Sequence, residues 1–292
     1  MHRIYQLAPK LSVEIHAPIR RYIDYFDAEY WFTSLRSVQA APPTITLRMV
    51  SRLPNKSGSL ILRRRTKFKN LFWFEFMIDF SHDQVEIFVS RHVIENYYFN
   101  AFGPFIQTNI LEPILYYCAV KKGMYILHAS TAVKDGKATC YIGKGGDGKT
   151  KTVLNECIKN NASFMGDDLI FTIPKTKKVF WFPRPLHLFS YNINKIPPSP
   201  EKWLNLKLKL KVKCKDVIRL LLGFITKVTP LISTRVDVRQ LYPSLKLVPE
   251  AVLSKIQLVK NQEKSMQEII IEKMHNYILQ NIEEIKDNIN SI

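Results

Sequence analysis

The stretch Gly143-Lys144-Gly145-Gly146-Asp147-Gly148-Lys149-Thr150 constrains this chain more than any other. The 292 residues contain only ten glycines, and four of them stand in these eight positions. A short apolar run, KATCYI, precedes the stretch, and VLNECI follows it with helical spacing. Gly143, Gly148, Lys149 and Thr150 match G-x-x-x-x-G-K-[ST] in full. Glycines let consecutive backbone N–H groups turn inward around phosphate oxygens with no Cβ in the way. The positive end of the following helix adds to that attraction. The pattern therefore predicts strand, phosphate-holding loop and helix. Gly143, Gly145, Gly146, Asp147, Gly148, Lys149, Thr150 and Lys151 are its nucleotide-binding candidates. Lys149 is placed to reach the β- and γ-phosphates, and the Thr150 hydroxyl to coordinate Mg²⁺. Asp147 is the anomaly, a negative charge among groups meant to hold phosphate.

The rest of the chain is compatible with a globular core around this loop. It is 46% hydrophobic and 12% aromatic. Forty-three Lys and Arg face 25 Asp and Glu, a formal charge of +18, which favours anionic partners. The N-terminus lacks the pattern of a signal peptide, and the most apolar runs fall short of the ~20 residues of a membrane span. Four scattered cysteines without a C-x-x-C pair suit a reducing compartment. Together these predict a cytoplasmic location and no membrane span. No nucleic-acid motif stands out and no basic amphipathic helix, so no specific nucleic-acid partner is expected.

Two regions are expected. Residues 1–115 are strand-rich, with TITLRMVSRL, GSLILRRRT, LFWFEFMIDF and QVEIFVS reading as strands. Residues 116–292 form the second region, built around the glycine loop. From Met124 the order is strand, turn, strand, glycine loop, helix and strand, the layout of a phosphate-binding α/β (α+β) fold. A proline-rich stretch, 174–202, reads as an extended loop. Within it FPRPLH is a candidate substrate loop, with Arg184 available to neutralise phosphate. LKLKLKVKCK (206–215) alternates as a strand would, which puts Lys207, Lys209, Lys211, Lys213 and Lys215 on one face. The tail, 264–290, has the spacing of a closing amphipathic helix.

Residues 127–171 resemble the catalytic core of the HPr kinase/phosphorylase family, with a P-loop core of the HPr kinase/PEP carboxykinase-like type. In that family a histidine at the start of a strand precedes the loop, and an Asp-Asp pair ends the strand after it. Here His128 lies 21 positions before Lys149, and Asp167 and Asp168 lie 18 and 19 after it. RVDVRQLY (235–242) faintly resembles the family's Ile-Glu-Ile-Arg-Gly-Leu-Gly signature, with Asp237 as a metal-side acid and Arg239 as its arginine. Gln240 and Tyr242 replace the glycines of that signature, which sets the phosphorylase activity aside.

The resemblance implies ATP and Mg²⁺ as cofactors, Asp167 as catalytic base, Asp168 as metal-side partner, and His128 and Lys149 as catalytic. The length and the divergent N-terminal half look most like the standalone kinases that phosphorylate a serine of lasso-peptide precursors. A serine or threonine of a small peptide is then the expected acceptor. A free small molecule such as serine is the alternative, and a nucleotide-gated module for nucleic acid or an anionic surface is the alternative of another class. The family's oligomers leave a homo-oligomer open.

Overall fold

A computed structural model describes residues 1–35, 42–68, 72–91, 102–143, 146–226 and 234–259. The expected tail helix and Gly145 lie outside the described residues. The architecture is mixed α/β with several mixed sheets, and the chain divides into two compact units after Gly123. The sequence pattern put that change at 115/116.

The first unit is a six-stranded sheet in the order β1-β2-β3-β6-β5-β4. Its strands are β1 (His2–Ala8), β2 (Leu11–His16), β3 (Ile45–Val50), β4 (Ile61–Phe68), β5 (Phe72–Asp79) and β6 (Val85–Ser90). Alternation sets the faces. Val13 and Ile15 of β2 and Ile45 and Leu47 of β3 are fully buried. Helix α1 (Arg20–Glu29), unanticipated inside the strand-rich region, buries Tyr22, Ile23 and Phe26 at helical spacing. A π-turn, Gln107–Leu111, leads into α2 (Glu112–Lys121), where the sequence predicts a helix.

Among the acids this unit buries, Asp79 has a cation at hand. Asp79 is 2% exposed, and its Oδ2 lies 2.8 Å from Lys56 Nζ, which also reaches Glu86 Oε2 at 3.0 Å. Ser81 donates its backbone N–H to Asp79 Oδ1 at 2.9 Å, and its hydroxyl donates to the same oxygen. Burial opposes ionisation of Asp79, but Lys56 and Ser81 together overcome it and hold the carboxyl down to about 2.

The second unit is a seven-stranded sheet in the order β10-β8-β9-β15-β12-β11-β7. Its members are β7 (Tyr125–Leu127), β8 (Ser130–Lys134), β9 (Lys137–Ile142), β10 (Ser163–Gly166), β11 (Ile170–Ile173), β12 (Lys178–Phe180) and β15 (Glu250–Leu258). β9 and β15 pair in parallel, and the other neighbours are antiparallel. A separate two-stranded ribbon of β13 (Leu186–Leu188) and β14 (Thr234–Val236) falls between β12 and β15 in the chain. Helix α3 (Lys149–Lys159) packs against β8, β9 and β10, burying Val153, Leu154 and Cys157.

Residues 206–215 are not a strand. They belong to α4 (Lys202–Thr226), a helix of 25 residues. The period of two in LKLKLKVKCK hides a second one, since Leu204, Leu208 and Val212 recur every four residues and pack on the core of this unit. Leu and Lys are strong helix formers, and burial of one four-residue stripe decides between the two readings. The lysines therefore spread around the helix rather than sharing one face, and a basic amphipathic helix is present after all. A short α5 (Val238–Leu241) follows β14, capped by Asp237 Oδ1, which accepts from the Arg239 backbone N–H at 2.9 Å.

Candidate active site

Of the turn between β9 and α3, Gly143 and Gly146–Gly148 are described. Gly148 is the residue before the helix and has φ +97°, a left-handed conformation that a side chain would strain. Its placement lets α3 begin at once with Lys149, whose first-turn N–H groups have no partner within the helix. Lys149 is buried, and its Nζ donates to the Gly143 carbonyl at 2.8 Å, closing the loop on itself. The Asp147 side chain lies across the other side. A Cβ placed on Gly143 would sit 3.0 Å from Asp147 Oδ2. Gly146, Gly148, Lys149, Thr150 and Lys151 line the adjoining cavity, and Asp147 is not among its lining residues.

The Asp-Asp pair lies where a strand stops. β10 ends at Gly166, where an added Cβ would meet the Leu169 and Phe182 carbonyl oxygens at 3.2 and 3.3 Å. Asp168 then adopts φ +68°. The two carboxylates therefore escape strand alternation and part in direction. Asp167 turns inward, where it is 7% exposed. Thr150 Oγ1 donates to its two oxygens at 3.0 and 2.9 Å, and Ser130 Oγ donates to Oδ1. Asp168 turns outward, its side chain 52% exposed and its Oδ1 3.7 Å from His128 Nε2. His128 occupies the two-residue break between β7 and β8 and is 59% exposed, which excludes a core role for it.

The two acids have opposite electrostatics. Burial pushes Asp167 up to about 6, assisted by the charge of Asp168 and opposed by the Ser130 and Thr150 hydroxyls and Lys149. Partial burial also acts to raise Asp168. The close approach of His128 and the charges of His187 and Arg184 outweigh it and hold that carboxyl below the usual range.

Both acids border a cavity of about 240 Å³ together with His128, Lys149 and Thr150. Its opposite wall comes from β13 and the segment after it, through His187, Tyr191, Asn192 and Lys195. Tyr191 stacks on Phe189, their centroids 5.2 Å apart and planes 14° from parallel. Arg184 is buried beside this wall and 6.0 Å from the Phe182 ring centroid, acting on Asp168 through its charge.

The structure thus brings together His128, Gly146, Gly148, Lys149, Thr150, Lys151, Asp167 and Asp168 in one cavity. Asp237 and Arg239 are not among its lining residues. They pair with each other instead, Arg239 Nε lying 3.0 Å from Asp237 Oδ2. Ser130, His187, Tyr191 and Lys195 belong to the site although the sequence did not single them out. Only His187 carried a signal, as the last residue of FPRPLH. Chemically, the cavity has a hydroxyl and a carboxylate in contact on one side, an accessible ionised carboxylate beside a histidine on the other, and lysines between. No family model matches this chain, and no curated protein matches it either.

Proposed function

We propose that the protein is an ATP-dependent kinase that transfers the γ-phosphoryl group to a serine or threonine hydroxyl, most plainly that of a small peptide. The observation that carries this reading is the division of labour between the two carboxylates. Asp167 is bonded to the loop threonine, and Asp168 faces the cavity beside His128.

Phosphoryl transfer demands positioning and charge neutralisation. A hard divalent cation needs oxygen donors, and the Thr150 hydroxyl with the Asp167 carboxylate forms such a set. The raised value of Asp167 adds support, since a buried carboxylate with hydroxyl partners lacks a full countercharge. These residues fit Mg²⁺, and Thr150 and Asp167 would hold it. When bound, magnesium neutralises charge on the phosphate oxygens. Lys149 now bonds a loop carbonyl and would exchange it for phosphate oxygens, and Lys151 and Lys195 add positive charge around the same cavity.

The resemblance to HPr kinase-like P-loop enzymes made Asp167 the base and Asp168 the metal-side acid. The geometry favours the opposite assignment. Asp168 is accessible and lines the cavity while Asp167 is occupied by the Thr150 and Ser130 hydroxyls, so Asp168 takes the proton of the attacking hydroxyl as the new O–P bond forms. The electron pair of the breaking bond leaves on the β-phosphate side. His128 orients Asp168.

Incubation with ATP labelled at the γ-position, Mg²⁺ and a panel of short peptides ending in serine tests the reading. Label appears on peptide with wild-type protein and not with Lys149→Ala. Absence of transfer to every hydroxyl acceptor would sink it.

A further inference from the structure

The wall opposite the glycine loop carries an aromatic lip that the transfer chemistry does not employ. Tyr191 and Lys195 both line the cavity, four residues apart in the turn 190–196. Tyr191 packs one ring face on Phe189 and is still 58% exposed, so its other face is open. The turn holds that ring in place. Asn192 Oδ1 accepts from the Phe189 N–H at 2.7 Å, and Asn192 Nδ2 donates to the His187 carbonyl at 3.1 Å. The backbone N–H groups of Asn192 and Ile193 both reach the Phe189 carbonyl, at 3.1 and 3.0 Å. The Lys195 N–H donates to the Asn192 carbonyl at 2.9 Å. Further on, the Tyr242 hydroxyl donates to the Pro197 carbonyl, and Asn205 bonds both polar backbone groups of Ser199. A ring fixed in this way loses little freedom when a second ring stacks on it.

Size and charge select the ligand. At about 240 Å³ the cavity is smaller than the roughly 300–1,000 Å³ of pockets that enclose a whole drug-sized ligand. It suits a chain of phosphates, and the rest of such a ligand must lie at the rim, where Tyr191 stands. An exposed ring alone would take any apolar group. A ring with a lysine four residues on, in the cavity of a phosphate loop, fits a flat base joined to an anionic chain. That is a nucleoside phosphate, its base on Tyr191 and its inner phosphate toward Lys195. The manner of recognition follows as well. Asn192 supplies the one amide among the described residues of the lining, and backbone groups engage both of its ends. A base on this wall is therefore held by its face, which every base has, and its edge is left unread.

We infer that Tyr191, backed by Phe189, is the nucleobase platform of this site, and that the protein takes purine nucleoside triphosphates with little regard to the base edge. This rests on the kinase reading and deepens it: GTP serves as donor about as well as ATP.

Calorimetric titration of the full chain with ATP, GTP and ribosyl triphosphate, each with Mg²⁺, tests the platform. The third probe keeps the sugar and phosphates and lacks the base. Wild type binds ATP and GTP within about threefold of each other, and ribosyl triphosphate about tenfold more weakly or worse. Tyr191→Ala weakens both nucleotides by about tenfold or more and leaves ribosyl triphosphate as it was. Tyr191→Phe restores them, because the ring and not the hydroxyl stacks. Lys195→Met weakens all three and preserves the ratio of ATP to GTP. Tyr191 is exposed, and an unchanged thermal melt verifies the fold of each variant. Ribosyl triphosphate bound as tightly as ATP by wild type overturns the inference, as does an indifferent Tyr191→Ala. A preference for ATP over GTP above about tenfold overturns it too, since the base edge is then read. So does a rise in KM for the peptide with none for the nucleotide, which assigns the ring to the acceptor. Nucleotide binding through Tyr191 with no transfer to any hydroxyl leaves the platform intact and sinks the kinase reading. Transfer from ATP with equal nucleotide affinity in wild type and Tyr191→Ala does the reverse.

Discussion

Each unit of this protein buries an aspartate, and the two are handled in opposite ways. Asp79, in the first unit, has a lysine and a serine at hydrogen-bonding distance and is held down to about 2. Asp167, in the second, has two hydroxyl partners and a second carboxylate next door in sequence, and is pushed up to about 6. The first carboxylate is complete within the fold. The second is short of positive charge, which a bound cation would supply. Burial by itself therefore does not set the two apart; the presence or lack of a close countercharge does.

The largest effects should fall on the second unit. Lys149→Ala is expected to lower kcat by on the order of 10³-fold or more, since it removes the cation nearest the loop. Asp168→Asn should cost roughly 10²- to 10⁴-fold in kcat with little change in nucleotide KM, the range for a lost general base. Near-full activity in that variant would return the base to Asp167.

Asp167→Asn sharpens the comparison further. It is expected to abolish Mg²⁺-dependent transfer while raising the stability of the ligand-free protein by roughly 1–3 kcal/mol at pH 7, because an uncompensated buried charge disappears. Lys56→Met should act in reverse, costing about 2 kcal/mol in urea unfolding and leaving kcat as it was, since it strands the Asp79 charge. If both substitutions destabilised equally, the two aspartates would be alike and the contrast would collapse.

The pH dependence separates them by sign. The ordinary aspartate value is 3.8, and Asp79 lies below it in the fold. Its contribution is full above pH 4 and is lost as pH falls toward 2. Asp167 lies above it, so its contribution is full below pH 4 and is lost as pH rises through about 6. Melting curves of wild type and Asp167→Asn should therefore converge as pH falls from 7 to 4. Smallest of all, Arg239→Ala should change stability by less than about 0.5 kcal/mol, because that pair is partly exposed and lies outside the cavity.

What the sequence revealed, and what it concealed, follows from the range of the forces involved. The loop and α3 were legible because glycine spacing and helix spacing are local properties of a few residues. The Asp167 and Asp168 pair was visible too, but not which way each faces, since that depends on where β10 stops and on the carbonyls crowding Gly166. Ser130 has no local signature, and it matters only because β8 passes next to the end of β10. His187 and Lys195 reach the cavity through a segment that doubles back after β12, which no short window contains. Helix α4 was misread because a period of two and a period near four coexist in LKLKLKVKCK. Only a core to pack against could choose between them. Helix α1 was passed over among strands although Tyr22, Ile23 and Phe26 carried its spacing.

The parallel pairing of β9 with β15 also governs when the site can come into being during synthesis. The strand that leads into the glycine loop, β9, is third from one edge of the sheet and lies directly beside β15, the middle strand of seven. Ile142 and Leu258 are partners although they stand 116 positions apart (258 − 142). A ribosome adding about 5–20 residues per second needs roughly 6 to 23 seconds to cover that gap. Throughout that interval the loop exists as sequence, without the neighbour that anchors its strand. The cavity beside the loop is thus unable to take its finished form until almost all of the second unit has been made.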